Sequence, residues 1–396
     1  MFSTFCSLLA LSLAVSAAQS SVPQELFSTL IRQKVLATYN ALPQPTKYPQ
    51  YTDMSIGRWQ FFSPDTWTSG FFPVTAYALN TRKHLCLAGP QDPTDWLSIG
   101  RAASSALIPL ESANHVGHDV GFLSFPFIEE LVINSSNQTA RTAINAFAKD
   151  LAARFSPVVG CTRSWDAPDP DFQVIIDNMM NLEVLFQSAL LTGNQTLRNI
   201  AISHADTTML NHIRNDGSTW HVIDYDSNTG AVTRKRTAQG FSDNSTWSRG
   251  QAWAIYGFAN MYRNTRDPKY FDTAKRLAGY FLTNLPTDGI VPWDFNGPLT
   301  PPPRPADSSA ATIAANGLLM MSQLETDPTA AKRWSDAAIQ LLSNITTLAW
   351  NPTWQSLLSN GTVNWPQGNF LTGTVYGDYY FVRAGNELVS MGLAAC

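Results

Sequence analysis

Residues 249–263, RGQAWAIYGFANMYR, and residues 269–285, KYFDTAKRLAGYFLTNL, decide the fold. In the second stretch, apolar side chains fall at 270, 271, 274, 277, 278, 281, 282 and 285, which is one face of a helix. Lys269, Asp272, Lys275 and Arg276 fall on the opposite face. The first stretch is apolar on most sides and carries Gly and Ala, whose small size lets neighbouring helices come close. A helix without a polar face is a buried one. The two stretches therefore read as an inner helix followed by an outer one.

The same alternation recurs along the chain. Amphipathic segments lie near 24–41, 94–111, 138–155, 195–213 and 329–347. Segments apolar on most sides, or rich in Gly, Ala and Ser, lie at 67–79, 119–132, 175–191, 308–324 and 377–389. Their spacing is irregular, about 50 to 75 residues, so the repetition is structural and not a tandem sequence repeat. The economical arrangement is all-α: an (α/α)6 barrel, six inner helices wrapped by an outer ring. An open α-solenoid uses the same pairs, but about six pairs with no capping repeat favour closure.

The chain of 396 residues is long enough for more than one domain. The helix pattern predicts a signal peptide over 1–18 and one barrel domain over 19–396. FCSLLALSLAV is a short apolar run, and Ser16-Ala17-Ala18 supplies small residues before a cleavage point at Gln19. No later stretch is continuously apolar over the roughly 18 residues that a span needs. A secreted, extracellular protein with no membrane contact is expected. Sequons at Asn134, Asn137, Asn194, Asn244, Asn344 and Asn360 predict N-glycans. Cleavage leaves Cys86, Cys161 and Cys396, an odd count that allows one internal disulfide and a free thiol without selecting the pair. Charged residues are 14% of the chain and the net charge is -4; the densest basic run, Arg234-Lys235-Arg236, reads as a solvated turn. A nucleic-acid partner is therefore not expected. A monomer or weak homodimer is.

In a barrel the inner helices run the same way, so the loops leading into them gather at one mouth. Those loops carry Trp67, His118, Asp119, Asp177, His221, Gln239, Trp247, Arg249, Arg304, Asp307, Tyr376 and Asp378. None of the six histidines forms HExxH, no CxxC occurs, and His115-x-x-His118-Asp119 is a weak ligand pattern. No metal and no cofactor are expected. G-x-S-x-G, Walker A and dinucleotide glycine patterns are missing too. Carboxylates and aromatics remain. Trp67, Trp247, Trp253 and Trp293 would suit a sugar, although large aromatics usually serve packing. Asp119 and Asp177 each stand where an inner helix begins. A capping carboxylate has a lowered pKa and a desolvated one a raised pKa, so residue types alone leave cap and catalytic acid both open.

The blocks WTSGFFP, HDVGF, IIDNMMNLEVLF, NDGSTWHVIDYD, QGFSDNSTWSRGQAWAIYGFANMYR, PADSSAATIAANGLL and YGDYYFVRA resemble the unsaturated glucuronyl hydrolases, glycoside hydrolase family 88, from about residue 66 to about 383. The resemblance implies an (α/α)6 barrel and an unusual reaction. Such enzymes act on the unsaturated uronic acid that polysaccharide lyases leave at a non-reducing end. They protonate C4 of its double bond and add water at C5, and the hemiketal collapses to release the neighbouring sugar. Carried over block by block, Asp177 is the general acid/base and Asp119 the second catalytic aspartate. Trp67, His118, His221, Gln239, Arg249, Trp253 and Tyr376 line the substrate. Arg249 is a natural bidentate partner for the uronate carboxylate. The first block departs from the family in reading SGFFPV, and NWPQGNFLTGTVYGDYY lacks a serine-rich or lysine-containing sulfate pocket. Three other readings compete: an unsaturated rhamnogalacturonyl hydrolase, a polysaccharide lyase, and an inactive sugar-binding barrel.

Overall fold

The computed structural model describes residues 21–87, 92–300, 302 and 305–396. The expected signal peptide and Arg304 lie outside them. The helices run α1 (Thr29–Asn40), α2 (Phe71–Leu85), α3 (Trp96–Ser104), α4 (Val120–Leu123), α5 (Phe125–Ile133), α6 (Gln138–Ala153) and α7 (Leu182–Thr192). They continue with α8 (Gln195–Asn211), α9 (Ser248–Thr265), α10 (Pro268–Thr283), α11 (Ser308–Leu324), α12 (Pro328–Ala349) and α13 (Val375–Ser390). The inner ring is α2, α4 with α5, α7, α9, α11 and α13. It closes because α13 packs on both α11 and α2, α2 on α5, α4 on α7, and α9 on the turn before α7. The outer ring is α1, α3, α6, α8, α10 and α12. The architecture is the expected (α/α)6 barrel.

Burial follows the sequence pattern. Every residue of α9 from Ser248 to Met261 is buried, as is every residue of α11 from Ser308 to Ser322. Outer helix α10 buries only Tyr270, Phe271, Thr273, Ala274, Leu277, Ala278 and Phe281. Fully burying a side chain such as Leu277 or Phe281 stabilises the fold by about 1.5–3 kcal/mol before entropy is counted. Outer helices α10 and α12 begin with an Asp cap followed by Pro, Asp267-Pro268 and Asp327-Pro328, which supplies an acceptor and a preset φ. Gly257 of α9 lets the turn before α7 approach closely: a Cβ there would lie 2.7 Å from that of Met179.

Two inner helices start irregularly, and these are the two that carry the aspartates. The second is split into α4 and α5. The third begins with a 3₁₀ turn, Ile176–Met180, before α7.

Among the described residues, the expected all-helical barrel carries only small sheets, all in its connections. Short strands fill the connections: β1 (Tyr48–Thr52), β2 (Trp59–Phe62), β3 (Phe155–Ser156), β4 (Cys161–Thr162), β5 (Asp171–Ile175), β6 (Val222–Asp226), β7 (Val232–Arg236), β8 (Gly361–Asn364) and β9 (Asn369–Thr372). β5, β6 and β7 form an antiparallel sheet, and β8–β9 is a hairpin. Arg234-Lys235-Arg236 is thus a strand and not a turn. Arg236 pairs with Asp224 of β6 at 2.7 Å, and Lys235 donates to the Asn211 carbonyl. Cross-strand pairing, invisible in a polar run, made the strand.

Cys86, just past α2, is bonded to Cys396 at the chain end after α13, with a sequence separation of 310. The bond clips the first inner helix to the last, and closing so long a loop stabilises a fold by about 2–5 kcal/mol. Cys161 is the buried free thiol. Among the described residues no helix is long and apolar enough to cross a membrane.

Candidate active site

The site is built on Asp119 and Asp177. Neither is a cap: Asp119 stands at the N-cap position of α4 without a side-chain cap bond, and Asp177 lies inside the 3₁₀ turn before α7. Their side chains are 17% and 15% exposed, enough for a substrate to reach and too little for full hydration. Burial pushes the Asp119 carboxyl up to about 7, against the Asn181 hydrogen bond and the Arg154 cation. Burial also pushes Asp177 up to about 7; the neighbouring Asp119 charge adds to it and Arg249 opposes it.

Each carboxyl has a histidine. His118 Nε2 lies 3.2 Å from Asp119 Oδ1, and its Nδ1 sits 2.8 Å from the Ser164 carbonyl. His221 Nε2 lies 3.8 Å from Asp177 Oδ1, and its Nδ1 accepts the Ala238 N–H at 3.2 Å. Burial holds both rings neutral: His118 falls to about 3, with Arg154 contributing, and His221 falls well below its usual range, with Arg249 and Arg236 contributing. Asn181 joins the two helix starts. Its Oδ1 accepts Phe122 N–H and its Nδ2 donates to Asp119 Oδ1, both at 3.2 Å. Gly121 makes room for it, since a Cβ there would lie 2.5 Å from Asn181 Oδ1.

Trp67 is half-buried over the buried Tyr376, ring centres 5.0 Å apart, and also touches Phe122. Gln239 is half-buried and donates to the Val363 carbonyl at 3.0 Å. Of the loop residues expected at one mouth, Asp378 turns elsewhere, accepting the Leu357 and Leu358 N–H groups beside Lys34, and two further expected site residues need correction. Arg249 is not a free partner for a substrate carboxylate. Its side chain is 2% exposed; it pairs with Asp307 at 2.8 Å and donates to the carbonyls of Thr362 and Val363. Trp253 is fully buried between Phe122 and Tyr380, so it supports the pocket from behind and does not line it. Its position one turn after Arg249 on a helix buried all round is the reason.

The aromatic reading shifts as well. Trp247 is buried, stacked on His221 at 4.3 Å, and Trp293 is buried under Trp365. The half-buried aromatics that sequence reasoning missed are Trp165, edge-on to His221 at 6.1 Å, and the stacked Trp365 and Phe370 of the β8–β9 hairpin. Their signal was an aromatic in a loop rich in Asp, Pro, Asn and Gly. His115 is no ligand candidate; it is exposed and pairs with Asp65 at 2.7 Å.

No family model matches the chain. It is 38% identical over 331 residues to the unsaturated glucuronyl hydrolase of Formosa agariphila, covering 80% of this chain and 78% of that one. It is 33% identical over 278 residues to the unsaturated chondroitin disaccharide hydrolase of Streptococcus pneumoniae, covering 67% and 69%. The crystal structure of an unsaturated glucuronyl hydrolase specific for heparin matches with a TM-score of 0.84 at 27% identity, covering 94% of this chain and 97% of that one. Barrel, paired carboxyls and relatives together define a glycoside hydrolase. Within that class, the chain belongs to the unsaturated glucuronyl hydrolases.

Proposed function

We propose that the protein releases the unsaturated uronic acid from the non-reducing end of lyase-generated oligosaccharides by hydrating its C4=C5 double bond. The carrying observation is the pair of poorly hydrated carboxyls, Asp119 and Asp177, each at a ring-closing contact of the barrel mouth and each pushed up to about 7. A group of that kind can hold a proton near neutrality and take one back. Asp177 gives a proton to C4; water then bonds to C5 and returns a proton to Asp177. The hemiketal so formed opens and frees the next sugar. His221 Nε2 and the half-buried Gln239 offer neutral donors to the substrate carboxylate, with the Arg249 charge behind them.

The substrates are glycosaminoglycan-type unsaturated disaccharides, as the names of the relatives suggest. The β8–β9 hairpin is tied to the site through Arg249 and Gln239, and residues 361–372 contain no charged side chain. Trp365 and Phe370 make that rim aromatic, which favours an unsulfated leaving sugar. The test is the ultraviolet absorbance of the conjugated double bond in lyase-generated disaccharides. It is expected to disappear with purified enzyme, and at least tenfold faster for unsulfated than for sulfated chondroitin disaccharide. Absorbance that stays flat with glycosaminoglycan-, gellan-, xanthan-, ulvan- and pectin-derived substrates alike would remove the proposal.

We also propose that the protein is secreted. The Cys86–Cys396 disulfide fits an oxidising compartment. Asn134, Asn194 and Asn244 are exposed, whereas Asn137, Asn344 and Asn360 are partly buried and hydrogen-bonded. Expression in a eukaryotic host should yield protein in the medium that begins at Gln19 and carries glycans at the three exposed sequons. Intracellular protein with an intact N-terminus would count against it.

A further inference from the structure

The two histidines at the mouth are held in opposite tautomers by backbone groups. The Ser164 carbonyl only accepts, so His118 Nδ1, 2.8 Å away, carries the hydrogen. In the neutral ring that leaves Nε2 with a lone pair, 3.2 Å from Asp119 Oδ1. The Ala238 N–H only donates, so His221 Nδ1 is an acceptor and Nε2 carries the hydrogen, facing Asp177 Oδ1. Asn181 is oriented just as firmly, because its Oδ1 is taken by Phe122 N–H and its Nδ2 faces Asp119 Oδ1.

Asp119 Oδ1 therefore lies beside a lone pair and Asp177 Oδ1 beside an N–H, and neither Nε2 is hydrogen-bonded. His118 Nε2 is a buried acceptor without a hydrogen-bond partner, and a carboxyl oxygen, Asp119 Oδ1, lies 3.2 Å away. A carboxylic O–H on Asp119 turned toward His118 Nε2 would give that nitrogen its partner, with Asn181 Nδ2 still donating to Oδ1. We infer that His118 is a positioning residue which, fixed by the Ser164 carbonyl, stores the shared proton of the free enzyme on Asp119 and leaves Asp177 as the carboxylate. The alternative, an imidazolium at His118 beside an Asp119 carboxylate, would bury a cation next to Arg154, and burial with that charge drives His118 toward the neutral form. Other charged or titratable groups facing the pair are Asp166 from the loop after β4, Asp177 from the turn before α7, and His204 from α8.

The inference rests on the proposed hydration only for its consequence. The proton moves from Asp119 to the Asp177 carboxylate and leaves Asp119 negative. Asp177 passes it to C4, where it bonds through the former π pair. The C5 centre takes the water oxygen, and the proton that water loses goes to Asp177 and back to Asp119. The net change is one water added across the double bond.

Histidine ¹⁵N NMR of the whole protein tests the first part without any turnover. A lone-pair signal for His118 Nε2 and an N–H signal for His221 Nε2 are expected; an N–H signal at His118 Nε2 overturns the inference. His118→Asn keeps a donor for Ser164 and withdraws the acceptor facing Asp119, whereas His118→Gln can set an amide oxygen there. The alkaline limb of kcat/KM should move down by about one pH unit or more in His118→Asn, with at least half of that shift restored in His118→Gln. An unmoved limb in folded His118→Asn overturns the inference. If no substrate is turned over, the proposed reaction fails while the tautomers still decide where the proton rests.

Discussion

Asp177→Asn should lower kcat by about 10³-fold while the dissociation constant for an unsaturated disaccharide stays within about threefold. The reason lies in what the substitution keeps and what it removes. Asparagine preserves the volume and a hydrogen-bonding head in the turn Ile176–Met180, whose Met179 and Met180 remain buried. It can neither give a proton to C4 nor take one from water. A role in binding alone would appear as a raised KM with kcat little changed. Titration calorimetry with the slow variant and single-turnover absorbance measurements separate the two outcomes. Residual kcat within tenfold of the parent enzyme would move the proton transfer to another group. Asp119 is the candidate, since it shares the pocket and its carboxyl is pushed up to about 7 as well. The loss in Asp177→Asn should persist at every pH, because no titration restores a proton carrier at that position.

The ring of helices was legible because its signal is repetitive: buried α9 beside amphipathic α10, the same contrast five more times. Each instance rests on local periodicity, which a sequence displays directly. The aspartates were legible as positions, since polar residues at the start of apolar helices stand out. Their protonation was not. It depends on the Ser164 carbonyl and the Ala238 N–H, backbone groups that every residue type shares, and on the Asn181 side chain, 62 residues from Asp119. Arg249 misled for a related reason. A cation beside a mouth looks like a ligand for a carboxylate until Asp307, 58 residues further on, turns out to claim it. The disulfide was undecidable for the same cause, because only ring closure brings Cys86 to Cys396.

Arg249→Met tests whether that guanidinium holds the substrate or the barrel, and the expected loss of stability is about 3–5 kcal/mol. Asp307 is 0% exposed, and its Oδ2 takes Arg249 Nη1 at 2.8 Å. Its Oδ1 caps α11 through Ser309 and Ala310 N–H. Removing the cation leaves a buried carboxylate half served. It also frees the carbonyls of Thr362 and Val363, so β8 loses its tie to α9. Arg249→Met with Asp307→Asn keeps an acceptor for the α11 cap and removes the orphan charge. That pair should recover at least half of the lost stability in urea unfolding. A direct carboxylate partner would behave differently, with KM raised tenfold or more and an unchanged unfolding midpoint. A further sign distinguishes the two. Arg249 holds the Asp177 carboxyl down from the value burial alone would set. Where Arg249→Met is still folded, the proton shared by Asp119 and Asp177 is therefore held more tightly, and the alkaline limb of kcat/KM should move to higher pH, opposite to the His118→Asn shift.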